Sequence, residues 1–121
     1  MAEIGFEGFF PAGAWRIVGY RAKWVAASRE YQGTPRSFPR DRAALAGREI
    51  AARCFRLFGC RDYARVDIRL TAENIPYVLE INANPCISPE AGFAAALAQA
   101  RIPYPAFVDR LLGFALARRG Q

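Results

Sequence analysis

Ala64-Arg-Val-Asp-Ile-Arg-Leu70, then Thr71-Ala-Glu-Asn-Ile-Pro76, then Tyr77-Val-Leu-Glu-Ile-Asn82 is the most informative run in this chain. Apolar residues fall at every second position, Val66, Ile68 and Leu70 in the first segment and Tyr77, Leu79 and Ile81 in the second. Side chains alternate across a strand, so each segment reads as a half-buried β-strand with one apolar face. The polar, proline-ended segment between them reads as the turn of a hairpin. A turn centred on Glu73-Asn74 sets Asp67 opposite Glu80 and Arg65 opposite Asn82. A slip by one residue would break the apolar face, which favours this register.

That pairing raises a question of charge. Directly opposed residues have Cβ atoms roughly 5 Å apart. Two carboxylates ~4 Å apart repel by about 4 kcal/mol at an effective dielectric of ~20. Asp67 and Glu80 therefore need a cation beside them. Arg65 and Arg69, on the same face, can supply it in a surface salt-bridge network. The other solution is a hard divalent ion. Magnesium takes oxygen ligands, commonly one or two carboxylates plus substrate phosphates, and the Asn82 side-chain oxygen lies two residues along on the same face. Alternation alone leaves both readings open.

Working outward, Glu3 to Phe9 and Trp15 to Lys23 show β-rich, roughly alternating character around the turn signal Pro11 to Ala14, which predicts a second hairpin. Val25 to Arg40 is mostly polar, carries Gly33, Pro35 and Pro39, and reads as a long surface loop. Asp41 can cap a helix whose apolar residues Leu45, Ile50, Cys54, Leu57 and Phe58 recur at helical spacing, with Gly59 placed to stop it. Beyond the Pro85 loop, Pro89 to Ala100 reads as an alanine-rich helix. Pro105 to Arg118 reads as another, with Phe107, Leu111, Phe114 and Ala115 inward. The expected order is β-β-loop-α-β-β-α-α, an α+β domain over residues 1–121 in which helices cover an antiparallel sheet.

Composition narrows the chemistry. The 121 residues suffice for one ordinary domain, and 17 Lys+Arg against 11 Asp+Glu give a net charge of +6 with 53% hydrophobic residues, a globular and basic chain. There is no histidine. Histidine bases, Ser-His-Asp or Cys-His couples and His-based zinc helices are thereby excluded. Cys54, Cys60 and Cys86 make no C-x-x-C pair, and their odd number fits a reduced, cytoplasmic protein with incidental thiols. No apolar run approaches the ~20 residues of a membrane span, and no signal pattern opens the chain. Lys23 is the only lysine.

At the paired strands the sequence resembles the ATP-grasp superfamily, most closely the C-terminal part of D-alanine:D-alanine ligase and related carboxylate-amine ligases. Ala64-Arg-Val-Asp-Ile-Arg69 and Leu79-Glu-Ile-Asn-Ala-Asn-Pro85 look like that family's metal-bearing strands. The likeness extends to Gly19-Tyr-Arg-Ala-Lys-Trp24, Gly59-Cys-Arg-Asp-Tyr63 and Ser88-Pro-Glu-Ala-Gly-Phe93, and so covers nearly the whole chain. The resemblance implies that Asp67 and Glu80 hold magnesium or manganese, with Glu80 bridging two ions and Asn82 completing the shell of the second ion. It implies that Arg65 is the catalytic arginine that steadies the transferred phosphoryl group. It implies that Lys23 contacts an ATP phosphate and that Ser88 lies in the loop near the acceptor substrate. Cys86 stands where relatives often have glycine, and Ala91 where a serine grips the acceptor carboxylate, both departures from a D-alanine acceptor site.

The implied reaction phosphorylates a carboxylate with ATP, after which an amine displaces phosphate. Divalent ions and arginine neutralise the charge that develops, work that needs no histidine. An ATP-grasp site lies between two lobes, and the Gly-rich phosphate loop, second lysine and adenine hinge of the other lobe are not found in this sequence. The expectation is therefore a C-terminal lobe, inactive alone, whose missing partner is the N-terminal lobe. The competing class is a non-catalytic basic module that binds nucleic acid or a protein partner. Arginines scattered over helix, strands and loop fit a solvated surface better than a nucleic-acid footprint.

Overall fold

Asp41 starts the longest early helix as its chemistry dictates. The structure, a computed structural model, describes residues 1–8, 13 and 15–119. In it the Asp41 carboxylate accepts a hydrogen bond from the Ala44 amide at 2.8 Å, capping a helix over Arg42–Leu57. Gly59 ends the helix in the left-handed region (φ 60°). The Gly59 and Cys60 amides return to the Arg56 and Phe55 carbonyls.

The described elements, in order, are β1 (Glu3–Ile4), α1 (Tyr20–Trp24), α2 (Arg29–Gln32), β2 (Arg36–Ser37), α3 (Arg42–Leu57), β3 (Arg65–Leu70), β4 (Pro76–Asn82), α4 (Gly92–Gln99) and α5 (Tyr104–Arg119). The class is α+β, with two small antiparallel sheets, β1-β2 and β3-β4, and helices. By contact the chain divides into two units, one over residues 2–39 and one from Arg40 onward together with Met1.

In the second unit α3 packs on both β3 and β4, and α4 packs on α5. The buried line of α3 runs through Ala44 and Gly47, with Ile50, Cys54 and Phe55 half-buried. The expected inward face is thus corrected, because Leu45 and Phe58 are exposed and Leu57 is 81% exposed. A side chain at Gly47 would meet Met1, while Leu45, Leu57 and Phe58 turn outward. On α5, Phe107 is buried and Leu111 half-buried, but Phe114 and Ala115 are exposed, which corrects that face too. Phe107 centres an aromatic cluster, with ring centroids 5.3 Å from Phe93, 6.0 Å from Tyr63 and 6.3 Å from Tyr104.

Among the described residues of the first unit the expected hairpin is not formed. The turn at Pro11 to Ala14 and the end of the first segment at Phe9 lie, apart from Gly13, outside the described residues. Tyr20 to Lys23, expected within a strand, falls in the helix α1, and β1 pairs instead with β2, Glu3 opposite Ser37 and Ile4 opposite Arg36. The expected loop over Val25 to Arg40 contains that strand and α2. Buried Ser28 nucleates α2 by accepting from the Tyr31 amide at 3.1 Å, while its hydroxyl donates to the Arg21 carbonyl of α1 at 3.0 Å. A buried hydroxyl bonded in both directions ties the two short helices together, a tertiary contact that local periodicity does not encode.

Candidate functional site

The β3-β4 hairpin is antiparallel and sets Arg65 opposite Asn82, Val66 opposite Ile81 and Asp67 opposite Glu80, the register expected from alternation. Toward the turn the register shifts, with Ile68 opposite Val78, Arg69 opposite Tyr77 and Leu70 opposite Pro76. Leu79 is the extra residue of a β-bulge. The cause lies in the turn. The Thr71 hydroxyl oxygen accepts from the Glu73 and Ile75 amides, both at 3.2 Å, and the Thr71 amide donates to the Ile75 carbonyl at 3.0 Å. Asn74 takes up the left-handed conformation (φ 62°) that closes this loop.

Thr71 paired with Ile75 is one residue out of step with a turn centred on Glu73-Asn74. An unbroken ladder from this turn would place Leu79 opposite Asp67. The bulge restores Glu80 to that position, at the cost of the continuous apolar face: Leu79 is 67% and Tyr77 58% exposed. The expectation that Tyr77, Leu79 and Ile81 together face the core is corrected accordingly.

The charged face is assembled around Arg65. Its Nε donates to Asp67 Oδ1 at 2.8 Å and its Nη2 to Asp67 Oδ2 at 3.0 Å, a bidentate fork, and Nη2 lies 4.0 Å from Glu80 Oε1. The hydrogen bond to Asp67 raises the Arg65 pKa above its ordinary value; partial burial opposes this, and the Asp67 and Glu80 charges add to it. All three side chains are partly exposed, so the fork is a displaceable contact. Asn82 turns its side-chain oxygen to the Asn84 amide at 2.9 Å. Among the described residues no three His, Cys, Asp or Glu side chains converge as a metal cluster. The hairpin's donors are two carboxylates and an amide oxygen, a hard-oxygen set that fits magnesium completed by water and phosphate.

The loop after β4 is held from both sides. Tyr63 Oη donates to Asn84 Oδ1 at 3.1 Å and Tyr104 Oη to the Ile87 carbonyl at 2.9 Å. Ser88 is exposed on this loop, its Oγ 3.4 Å from the Cys86 sulfur, and hydrogen bonding from Ser88 draws the Cys86 thiol pKa below its ordinary value. Lys23 belongs to the other unit, exposed on α1. The structure thus brings Arg65, Asp67, Glu80 and Asn82 together on one hairpin. Sequence reasoning missed the tethers to Asn84 and Ile87; the Asn82-Ala-Asn84 spacing signals only the local turn in which Asn82 accepts from the Asn84 amide.

An α+β unit whose antiparallel hairpin carries opposed carboxylates and an arginine is the architecture of an ATP-grasp C-terminal lobe. The chain belongs to the D-ala D-ala ligase C-terminus family, whose match runs over residues 13–113 and takes in every candidate residue above. It is 38% identical over 108 residues to D-alanine--D-alanine ligase A of Mesorhizobium japonicum, covering 89% of this chain and 30% of the relative. It is 34% identical over 102 residues to the protein y4sG of Sinorhizobium fredii, covering 84% of this chain and 30% of the relative. With D-alanine--D-alanine ligase A of Brucella suis the identity is 32% over 108 residues, again 89% of this chain and 30% of the relative. The chain therefore spans about a third of the length of these curated relatives. No solved structure matches it significantly.

Proposed function

We propose that residues 1–121 act as the metal- and phosphate-binding C-terminal lobe of an ATP-dependent carboxylate-amine ligase, inactive without the N-terminal lobe. The observation that carries this is the bulged register, which sets Asp67 opposite Glu80 with Arg65 opposite Asn82 two rungs along. Asp67, Glu80 and Asn82 would hold magnesium or manganese, which when bound neutralises charge on the ATP phosphates. Arg65 donates to the oxygens of the phosphoryl group in transfer, and Lys23 to an ATP phosphate. The tethered loop carries Ser88 toward the acceptor. Exposed Leu57, Phe58 and Leu79 suit a lobe that packs on further protein, as relatives about three times longer would allow. Arg21, Arg65 and Arg118 each hold a carboxylate, which weighs against a basic module for nucleic acid.

The test is a magnesium titration of the 15N-labelled chain. The amides of Asp67, Glu80 and Asn82 are expected to move together, and Asp67→Asn or Glu80→Gln to abolish the response. A wild-type spectrum unchanged at millimolar magnesium would overturn the metal assignment.

A further inference from the structure

The Arg65 fork occupies the carboxylate pair. Both Asp67 oxygens are engaged, at 2.8 and 3.0 Å, and the same guanidinium lies 4.0 Å from Glu80. This one monovalent cation therefore sits where the opposed carboxylates would clasp a divalent one. A metal arriving at Asp67 would meet an adjacent positive charge and two hydrogen bonds already made to its ligand. The strand register holds the carboxylates opposite one another, and Arg65 offsets their repulsion.

We infer that Arg65 is a resident plug of the site: a divalent cation enters by turning the guanidinium off Asp67, and the freed guanidinium then becomes a donor for phosphate. The inference rests on the metal-and-phosphate reading above and adds an order to it. The fork engages one donor on Nε and one on Nη2, so a phosphate that takes this edge of the guanidinium requires the fork to open, whereas the Nη1 donors are not used by it. Cation and phosphate binding are then positively coupled, because the first adds the Nε and Nη2 donors to those the guanidinium already offers the second. Partial exposure makes the plug weak enough to leave. An exposed pair of this kind lowers the apparent affinity of a competing cation by about twofold to fivefold.

The experiment uses the full 15N-labelled chain, magnesium alone, and then inorganic phosphate, with the Arg65 Nε–H resonance followed beside the backbone amides. That resonance is expected to move in step with the Asp67 and Glu80 amides as magnesium is added. Arg65→Gln is expected to bind magnesium at least about twofold to fivefold more tightly. Phosphate is expected to perturb the Arg65 Nε–H more strongly, and at lower concentration, when magnesium is present. A purely long-range charge effect would leave the Nε–H bond to Asp67 in place. If the Asp67 and Glu80 amides respond while the Arg65 Nε–H does not move, or if Arg65→Gln titrates at the wild-type concentration, the plug is overturned and the metal site stands. If Asp67, Glu80 and Asn82 respond in neither protein, the metal site itself is overturned, and the plug with it.

Discussion

Two bidentate arginine-aspartate forks of nearly equal length do different work in this molecule. Arg118, in the last turn of α5, holds Asp62 at 2.7 and 2.8 Å across 56 residues of sequence. Arg65 holds Asp67 at 2.8 and 3.0 Å across two residues of the same strand. The first joins the end of a long helix to the left-handed corner before β3, where Asp62 has φ 62°. It restrains tertiary structure. The second restrains nothing that the strand does not already fix, and it can open without unfolding anything. The contrast teaches that the reach of an ion pair along the chain, more than its distance in ångströms, decides whether it is a tie or a gate.

The strongest test of the contrast asks whether α5 is held by the Arg118 tie or by packing. Phe107 is only 7% exposed and touches three other rings, so Phe107→Ala is expected to cost about 3–5 kcal/mol in chemical denaturation. A loss no larger than that of Arg118→Gln would mean that the ion pair, and not the aromatic cluster, seats α5.

Arg118→Gln comes next, with a smaller but measurable loss. The hydrogen bonds from Arg118 hold the Asp62 carboxyl below its ordinary value of 3.8. A carboxyl depressed in the folded state contributes stability that is present above the unfolded value and lost as pH falls through the folded one. The denaturation midpoints of wild type and Asp62→Asn should therefore differ near neutral pH and converge as the solution is acidified below about 3.8. A gap that persists unchanged in acid would remove the ion pair as its cause.

The smallest effect is expected at the gate. Without metal, Arg65→Gln should change stability by no more than about 0.5 kcal/mol, because the pair is exposed and local. A loss matching that of Arg118→Gln would erase the distinction between the two forks.

How far these features could be read from the residues differs along the chain. The ends of α3 are local chemistry, an acidic cap at Asp41 and a glycine at position 59, and both were legible. So was the pairing of Asp67 with Glu80, because each strand shows its alternation directly. The bulge was not. Alternation assigns faces within a strand, but the Thr71 hydroxyl sets the turn one residue out of step, and only the bulge at Leu79 reconciles the turn with the charged end of the hairpin. The first unit was least legible. Strands of two residues and helices of four or five contain too few periods to distinguish a repeat of two from one of 3.6, and β1 meets β2 far along the sequence.

By itself, then, the sequence determined the class of fold, the long helix α3 and the opposition of two carboxylates beside an arginine, since these follow from capping chemistry and strand periodicity. Tertiary structure alone decided which apolar residues are covered and how the short elements pair. Those outcomes depend on hydrogen bonds and packing between residues distant in the chain, and no local pattern specifies them.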